Sequence, residues 1–378
     1  MIDPQALLST LDGLGVRFFA GVPDSLLQPL CDRLVSSIPA GRHVIAANEG
    51  AAVALAAGWH LATNSTPCVY MQNSGLGNAV NPLVSLADAD VYGIPMLLVI
   101  GWRGEILDAR QIKDEPQYVK QGRITRDLLQ CLDIPHAVLA AETPGFADTV
   151  RGLVDLARSE RRPTALVVRK NTFGEAGAAA TAVTNELSRE QAVAVLVDVL
   201  PDDVVIVSTT GKLSRELYEI RLARGQSTER DFLTVGSMGH AVQIASGIAL
   251  AQPQRRVACL DGDGAMIMHM GALTTSATIP NLLHAVINNG AHESVGGQPT
   301  QGFRIDMPGI AKACGYAMSA RAATADEIRA AVASALAARG ASFIEVRTRV
   351  GARADLSRPK STPAESKQGF MRFLGAQS

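Results

Sequence analysis

The sequence predicts an α/β protein with two doubly wound parallel-sheet domains. Short apolar runs typical of buried strands alternate with helical periodicity along most of the chain. The alternation stops at a stretch rich in Ala, Gly and Thr and then starts again. Glycine-rich polar segments follow several strands, at the sheet edge where open α/β folds bind their ligands.

The first half alternates strand and helix signals from its first residues. Strands are expected at Val16–Ala20, His43–Ala46, Cys68–Met71, Met96–Ile100 and Thr164–Arg169. Helices are expected at Pro4–Leu14, Ser25–Ser36, Gly50–Thr63, Asn78–Val91 and Ala147–Glu160.

The pattern restarts after a predicted linker at residues 173–187, which separates a domain of residues 1–172 from one of residues 188–378. In the second half, strands are expected at Val204–Ser208, Phe232–Val235, Arg256–Leu260, Leu282–Ile287 and Ser342–Arg347. Helices are expected from Ser188, at Lys212–Ala223, Ala241–Ala251, Gly264–Thr278 and Ala325–Arg339, and Phe370–Leu374 could dock on the domain.

The composition excludes several classes of protein. With 378 residues, a formal net charge of −1 and 47% hydrophobic residues, the chain has neither the basic balance of a nucleic-acid-binding protein nor the polarity of a disordered one. Because we find neither a signal-peptide pattern nor an apolar run long enough for a membrane, we expect a cytoplasmic protein that binds no membrane. Its five cysteines lack paired spacing, so we expect mostly buried free thiols.

The stretch Asp261–Gln298 carries the most specific pattern. Gly262-Asp263-Gly264 follows one predicted strand, and Asn288-Asn289 ends the next. A crossover helix brings the ends of both strands to the same sheet edge, so an Asp and an Asn should lie close together. Carboxylate and amide oxygens suit Mg²⁺, which often shares its ligands with phosphate groups. An isolated Gly-Asp-Gly is as often a plain turn, but the paired asparagines favour a metal site.

Glu49 is the candidate catalytic acid or base. It follows the second predicted strand and opens an alanine-rich helix, where few polar partners surround it. A carboxyl desolvated in this way has a raised pKa and can hold or share a proton. The alternative is a helix-start acid that complements the helix dipole, which is worth about 0.3–1 kcal/mol.

Two glycine-containing loops follow strands of the second half. Thr209–Arg215 combines hydroxyls, Gly211 and Lys212 ahead of a helix, which favours binding of a diphosphate or an anionic substrate over a plain turn. Gly236–His240 places Met238 between glycines, where an ordinary core methionine is the alternative to a cofactor contact.

Loops of the first half supply candidate substrate contacts. Gly21–Ser25 follows the first strand and Gln72–Asn78 the third, the latter with more amide and glycine than a turn requires. A long loop after the fourth strand carries Arg103, and long loops in compact domains are usually functional. The candidate substrate contacts are Asp24, Ser25, Asn73, Arg103 and Lys120.

Taken together, these motifs resemble those of thiamine-diphosphate-dependent 2-oxo acid decarboxylases over nearly the whole chain. The matching segments are GVPDS (21–25), NEGAA (48–52), NSGLGNAVNPL (73–83), DEPQ (114–117), TTGKLSREL (209–217), SMGHA (237–241), GDG (262–264) and NNGAHESVGGQPT (288–300). The middle domain usual in that family is absent, as in its short members that act on phosphonopyruvate or sulfopyruvate. Tyr118 stands where the family usually has His, so the resemblance assigns it no role.

The resemblance implies thiamine diphosphate and Mg²⁺ as cofactors. Glu49 would bind the pyrimidine ring and exchange a proton with it, Met238 would hold the cofactor bent, and the second half would bind the diphosphate. The metal ligands would be Asp263, Asn289 and the main-chain carbonyl of Ala291. The implied cofactor-binding residues are Glu49, Thr210, Gly211, Lys212, Ser237, Met238, Gly262, Asp263, Gly264, Ala265, Asn289 and Ala291. The family completes each site between subunits, so a homo-oligomer of at least two chains is expected.

The implied reaction is the decarboxylation of an anionic 2-oxo acid, 3-phosphonopyruvate, to phosphonoacetaldehyde and CO2 in phosphonate biosynthesis. His292 would donate a proton or bind the phosphonate, with a surface histidine as the alternative. Candidate cations for the substrate are Arg103, Lys120, Lys212 and Arg215. Sulfopyruvate decarboxylase and other thiamine-dependent decarboxylases or ligases remain alternatives. A nucleotide-binding α/β protein is disfavoured because no dinucleotide-binding or Walker motif follows a strand.

Overall fold

The computed structural model describes residues 1–108, 110–174 and 185–375, which form two compact units. One unit contains the described residues up to 174 together with Val295–Gln298, and the other contains the rest. The predicted linker, residues 173–187, lies mostly outside the described residues. The domain limits 1–172 and 188–378 therefore stay predictions.

A parallel sheet of six strands, in the order β2-β1-β3-β4-β8-β7, forms the centre of the first unit. The remaining strands, β5 and β6, form a short antiparallel hairpin. The strands are β1 (Phe19–Gly21), β2 (His43–Ile45), β3 (Cys68–Gln72), β4 (Met96–Gly101), β5 (Ile106–Leu107), β6 (Arg110–Gln111), β7 (His136–Leu139) and β8 (Pro163–Val168). The helices are α1 (Pro4–Gly13), α2 (Gln28–Ser37), α3 (Glu49–Thr63), α4 (Leu76–Pro82), α5 (Pro116–Cys131) and α6 (Phe146–Glu160).

The predicted helix Asn78–Val91 is wrong in its extent. Helix α4 ends at Pro82, whose ring and missing N–H disturb the regular hydrogen bonds, and a π-helical turn, Leu83–Ala87, follows. A short 3₁₀ turn, Asn73–Gly75, precedes α4 and contributes to the candidate site described below.

The second unit repeats the plan of the first. Its sheet has six parallel strands in the order β10-β9-β11-β12-β14-β13. The strands are β9 (Val205–Ser208), β10 (Asp231–Leu233), β11 (Val257–Gly262), β12 (Leu282–Asn288), β13 (Met318–Ala322) and β14 (Ser342–Arg347). The helices are α7 (Arg189–Val199), α8 (Lys212–Ala223), α9 (Ala241–Ala251), α10 (Asp263–Met268), α11 (Ala272–Ser276), α12 (Met307–Cys314), α13 (Ala325–Ala337) and α14 (Pro363–Leu374). When the six strands of each sheet are numbered in chain order, both sheets have the order 2-1-3-4-6-5. The predicted fold class is confirmed.

Two details of the second unit differ from the predictions. The predicted helix Gly264–Thr278 is interrupted between Met268 and Ala272, so that α10 is a short helix directly after β11. The predicted docking of the chain's end is confirmed, because α14 buries Phe370 with its ring centroid 5.6 Å from that of Phe232. A Thr362 capping box and Pro363 at the first turn define where this helix starts.

Apolar side chains of the strands form the cores of both units. Strands β4 and β8 in the first unit and β12 in the second are buried along their whole length, as expected for parallel sheets covered by helices. All five cysteines are free, and Cys31, Cys68 and Cys259 are buried. In the part of the chain that the structure describes, no helix is both long and apolar enough to span a membrane.

Candidate active site

Glu49 lies at the start of α3 and is only 6% exposed. The N-cap residue Asn48 accepts a 2.9 Å hydrogen bond from the Ala51 N–H, which fixes this end of the helix. Asn78 Nδ2 donates to Glu49 Oε2 at 2.8 Å. Burial raises the pKa of Glu49, and the hydrogen bond from Asn78 opposes this shift. Gly75 packs so closely on the carboxyl that a Cβ there would collide with it.

Asp24 is fully buried at the end of β1, where protein donors meet both of its carboxylate oxygens. The Leu26 and Leu27 N–H groups donate to Oδ2 at 3.1 and 3.3 Å, and Gln72 Nε2 donates to Oδ1 at 2.5 Å. Burial raises the pKa of Asp24, while the hydrogen bond from Gln72 and the Arg103 charge lower it. These contacts give Asp24 a role in holding the turn, so its predicted contact with substrate stays a prediction.

The guanidinium group of Arg103 is held by neighbours on several sides. Its Nε and Nη2 donate to the two oxygens of Asp114 at 2.8 and 2.5 Å, and Nη1 donates to Ser25 Oγ at 3.1 Å. The group also stacks 4.0 Å from the ring centroid of Tyr118, the residue to which the sequence assigned no role. Burial alone would raise the pKa of Asp114, but the hydrogen bonds that it accepts, chiefly from Arg103, together with the Arg103 charge outweigh this effect and hold this pKa below its ordinary value.

Asn73 ties this cationic loop to the 3₁₀ turn beside Glu49. Its amide donates to the Arg103 carbonyl and to Thr125 Oγ1, both at 2.9 Å, and its oxygen accepts from the Arg103 N–H at 3.2 Å. The structure therefore brings Ser25, Asn73 and Arg103 together, and Asn73 supports both the Arg103 main chain and Thr125. The contact of these residues with substrate stays a prediction.

A cavity of about 210 Å³ opens beside Arg103 and has two further cations in its lining. Lys113 belongs to the loop itself, and Lys170 follows the end of β8. Lys120, the cation predicted on this loop, is exposed on α5 and is not part of the described lining. Lys170 was missed, although its position just after a strand of the same parallel sheet was an available signal.

Asp263 is 3% exposed at the junction of β11 and α10 in the second unit. Parallel pairing of Gly262 with Ile287 places it beside the end of β12, as predicted. Its carboxylate accepts hydrogen bonds from Thr300 Oγ1 and from the N–H groups of Gly264 and Gly290. Burial raises the pKa of Asp263 to about 6, and these hydrogen bonds oppose the shift.

The two asparagines at the end of β12 are fixed by different carboxylates. Asn288 is fully buried, and its amide donates to Glu345 Oε1 at 2.8 Å and to the Gly302 carbonyl at 2.9 Å. Asn289 is 5% exposed, and its amide donates to Glu293 Oε2 at 2.9 Å. The Asn289 oxygen accepts from the Ala291 N–H at 3.1 Å within its own turn.

His292, Met238 and Gly264 lie together beside this turn. A Cβ on Gly264 would lie 2.8 Å from His292 Cε1 and 3.5 Å from Met238 Cε, so glycine is required for this packing. Burial lowers the pKa of His292 to about 4, which keeps the imidazole neutral at physiological pH. Ser237 next to Met238 has a φ of +54°, a left-handed conformation uncommon for a residue with a side chain.

The Thr209–Lys212 loop approaches the same turn from β9. Gly211 has a φ of +103°, and a Cβ there would collide with Ser294. The Lys212 N–H donates to Ser294 Oγ at 3.3 Å. The second unit thus gathers its predicted anion loop, metal ligands and Met238 loop at the carboxyl edge of one parallel sheet, as such folds require.

Comparisons with known proteins assign the chain to a family. The N-terminal TPP-binding domain of thiamine pyrophosphate enzymes matches residues 4–128, and the C-terminal TPP-binding domain matches residues 210–346. Phosphonopyruvate decarboxylase from Streptomyces viridochromogenes is 38% identical, over 99% of this chain and 95% of that protein. The chain belongs to the thiamine-diphosphate-dependent 2-oxo acid decarboxylases. Phosphonopyruvate decarboxylase from Streptomyces hygroscopicus is 37% identical over 99% of this chain and 94% of that protein. Sulfopyruvate decarboxylase from Methanosarcina acetivorans is 28% identical over 99% of this chain and 98% of that protein.

The residues around Asp263 fit the divalent metal that enzymes of this family use with the diphosphate. Among the described residues, the carboxylate is held by a hydroxyl and by N–H groups, and no cationic side chain hydrogen-bonds to it. A cation beside it would stabilise the ionised form that burial disfavours. Carboxylate and amide oxygens from Asp263 and Asn289 are the donor type that Mg²⁺ prefers.

The site contains two polar residues that the sequence reasoning did not single out. Thr300 donates to Asp263, and Glu293 accepts from Asn289. Both lie in the NNGAHESVGGQPT segment, so the motif pointed to the right region. Which of its side chains turn inward depends on how the loop returns to the strand ends, for example through the bridge between Ala291 and Pro299.

A separate cluster of three buried polar side chains lies on the adjacent strands β11 and β12. Cys259, Asp261 and His284 are fully buried with their ligand-type atoms within 4.8 Å of one another, and His284 Nε2 lies 3.4 Å from Asp261 Oδ2. Strand register explains the grouping, because Cys259 pairs with His284. Sulfur and imidazole are poor ligands for Mg²⁺, so this group is not the metal site predicted for the family cofactor.

Proposed function

We propose that this enzyme catalyses the thiamine-diphosphate- and Mg²⁺-dependent decarboxylation of 3-phosphonopyruvate to phosphonoacetaldehyde and CO2. The observation that carries the substrate assignment is the end-to-end similarity to two phosphonopyruvate decarboxylases at 38% and 37% identity. The full-length sulfopyruvate decarboxylase relative is less similar, at 28% identity.

Glu49 would exchange the proton that activates the cofactor. Thiamine diphosphate supplies the electron sink for the carbon–carbon bond that breaks when CO2 leaves a 2-oxo acid. A carboxyl whose pKa is raised by burial holds a proton to a higher pH than an exposed one, and the Asn78 hydrogen bond to Oε2 leaves Oε1 as the atom that holds or releases it. The close packing of Gly75 excludes water from one side of this carboxyl.

His292 would act as a neutral imidazole toward substrate or product. Its lowered pKa, about 4, means that at neutral pH it donates a hydrogen bond from an N–H without carrying a positive charge. Asp263, Asn289 and the Ala291 carbonyl would hold Mg²⁺, and the Thr210–Lys212 loop would bind the diphosphate. Met238, which packs beside Gly264 and His292, would support the bent shape of the cofactor.

The substrate's negative charge would be met by the cations of the first unit. Phosphonate and carboxylate together carry about three negative charges, which favour Lys and Arg partners. Lys113 and Lys170 are exposed in the lining of the cavity and can attract the anion. Arg103 would order the loop through Asp114 and Tyr118 and present its remaining N–H groups to the phosphonate.

A homo-oligomer of at least two chains would be the active form, with Glu49 and Asp263 of one site supplied by different subunits. This proposal rests on the family resemblance of the NEGAA and GDG segments. It makes the isolated subunit inactive.

The test of the proposed reaction is ³¹P NMR of phosphonopyruvate incubated with the enzyme. The phosphonoacetaldehyde signal should appear only when thiamine diphosphate and Mg²⁺ are both present, with CO2 released in equal amount. Asp263→Ala should form no product under the same conditions. A phosphonopyruvate signal that stays unchanged with both cofactors present would refute the assignment.

Sulfopyruvate is the second candidate substrate. The end-to-end match to a sulfopyruvate decarboxylase supports it, and sulfonate resembles phosphonate in size while carrying less charge. A related 2-oxo acid decarboxylase or ligase would form other products from pyruvate, which the same NMR analysis distinguishes.

A further inference from the structure

We infer that Glu293 is a positioning residue that fixes the Asn289 amide so that its oxygen, and not its NH2 group, is available to the metal. The inference rests on the proposed function, because it assumes that Asn289 is a ligand of Mg²⁺. It assigns a purpose to a buried charged network that the proposed reaction does not otherwise use.

The orientation of the Asn289 amide follows from what Glu293 can accept. An ionised carboxylate has no proton to donate, so only the NH2 end of an amide can face it. Asn289 Nδ2 donates to Glu293 Oε2 at 2.9 Å, which turns Oδ1 away from Glu293. The Ala291 N–H donates to Asn289 Oδ1 at 3.1 Å, and Glu293 adds the matching acceptor for Nδ2, so a flipped amide would lose both hydrogen bonds.

Glu293 is itself held in place from two directions. Arg189 Nη1 donates to Oε2 at 2.5 Å, and the Gly351 N–H donates to Oε1 at 2.9 Å. Arg189 is fixed in turn by Glu216, which accepts from its Nε and Nη2 at 2.7 and 2.8 Å. Arg189 of α7 and the Gly351 N–H after β14 therefore meet on one carboxylate, and Glu216 of α8 fixes Arg189.

The network holds more charge than the buried pair needs for charge balance. Arg189 and Glu216 form a two-bond pair with side chains 7% and 1% exposed, and the remaining Arg189 Nη1 group could be satisfied by a neutral acceptor. Adding Glu293 places a second buried carboxylate beside them, at a cost in desolvation. Groups that orient metal ligands are typically held by such secondary hydrogen bonds, and their loss weakens metal affinity about 10- to 100-fold.

The experiment measures Mg²⁺ affinity by titration calorimetry at saturating thiamine diphosphate, together with the thermal unfolding temperature. Glu293→Ala should weaken Mg²⁺ binding about 10- to 100-fold. Glu293→Gln should restore most of the affinity, because its Oε1 can still accept from Asn289. Glu216→Gln is the matched control: it alters the same network without touching Asn289, so it should lower the unfolding temperature and leave the affinity within about twofold of the original.

The deciding comparison repeats the Glu293→Ala change in an Asn289→Asp background. The two oxygens of an aspartate are equivalent, so its orientation no longer matters and the loss of Glu293 should not weaken Mg²⁺ binding there. Equal losses with Asn289 present and in the Asn289→Asp background would overturn the inference and make Glu293 a fold-supporting residue.

Should Glu293→Ala not fold, Glu293→Asp gives the same comparison, because it keeps the charge beside Arg189 and withdraws the acceptor. If the unmutated protein binds no thiamine diphosphate with Mg²⁺, the proposed function fails instead.

Discussion

Glu49 shows how a single buried carboxyl acquires its chemistry from its surroundings. Its helix-start position, the alanines around it and the Gly75 contact exclude water from the carboxyl. Among the described contacts, Asn78 alone supplies a side-chain hydrogen bond.

Glu49→Gln keeps the size of the side chain and removes the titrating proton. We expect thiamine diphosphate to bind, while C2–H exchange of the cofactor and turnover fall by about 10²–10⁴-fold. Proton exchange followed by NMR measures this, and an unchanged exchange rate would leave Glu49 as a helix-start residue.

The same residue predicts a pH dependence of stability. Burial raises the pKa of Glu49 above its ordinary value of 4.5 in the folded protein. The stability that this carboxyl contributes is therefore complete below pH 4.5 and is lost as the pH rises through the folded pKa. The free energy of unfolding of Glu49→Gln, relative to the unmutated protein, should increase as the pH rises from 4.5 towards neutrality.

Urea unfolding without cofactors, at several pH values, measures this difference. Asp155→Asn is the control, because Asp155 is exposed and has no ion pair among the described contacts, so its replacement should give a difference that does not change with pH. A pH-independent difference for Glu49→Gln as well would contradict the account of its burial.

Candidate site residues can be predicted from the sequence where a distinctive local pattern surrounds them. Residues whose place in the site depends on loop conformation are missed. Glu49 and Asp263 could be predicted because each follows a strand and opens a helix among small residues. Lys170 was missed although it follows a strand of the same sheet, and Glu293 and Thr300 lie in a recognised motif whose inward-facing side chains depend on how the loop folds. The substrate contact predicted for Asp24 stays a prediction, and the structure adds that its oxygens accept hydrogen bonds from backbone N–H groups and from Gln72.

The loop between β4 and α5 is the element on which substrate selection would depend. Arg103→Ala removes the bonds to Asp114 and Ser25 and the stacking on Tyr118. We expect KM for phosphonopyruvate to rise about tenfold or more, and KM for pyruvate, which has no phosphonate, to rise much less. Cofactor affinity should not change. Steady-state kinetics with both substrates measures this.

Arg110→Ala on the same hairpin is the control for this loop, because Arg110 is exposed and is not among the described residues that line the cavity. It should leave both KM values near their original level. If Arg103→Ala impairs both substrates equally, Arg103 supports the fold or a subunit interface and does not select the substrate.

Elements with long apolar runs were predicted well, and elements with weaker patterns were not. Strands β4, β8 and β12 are buried on both faces and read as continuous apolar segments. Helices α5 and α12 and strands β7 and β13 were missed because they carry many polar or half-exposed residues. Strands β7 and β13 lie at sheet edges, and their positions follow from pairing with β8 and β14, which periodicity along the chain does not record.

At the scale of the whole molecule, the repeated strand order gives each unit a ligand-binding edge of its own. The proposed sharing of sites between subunits predicts that two inactive variants complement each other. Glu49→Gln and Asp263→Ala, unfolded together and refolded as an equal mixture, should regain about a quarter of the original activity, because half of the dimers are mixed and each has one intact site. Each variant refolded alone is the control. An inactive mixture that contains mixed dimers would place both residues of a site on one chain.

The central claim, that the enzyme decarboxylates phosphonopyruvate with thiamine diphosphate and Mg²⁺, is tested most directly by comparing specificity constants. CO2 release with both cofactors present gives kcat/KM for phosphonopyruvate, sulfopyruvate and pyruvate under the same conditions. We predict the highest value for phosphonopyruvate and no release from any of them when Mg²⁺ is removed. A higher kcat/KM for sulfopyruvate would move the assignment to that substrate, and CO2 release that continues without thiamine diphosphate would contradict the account as a whole.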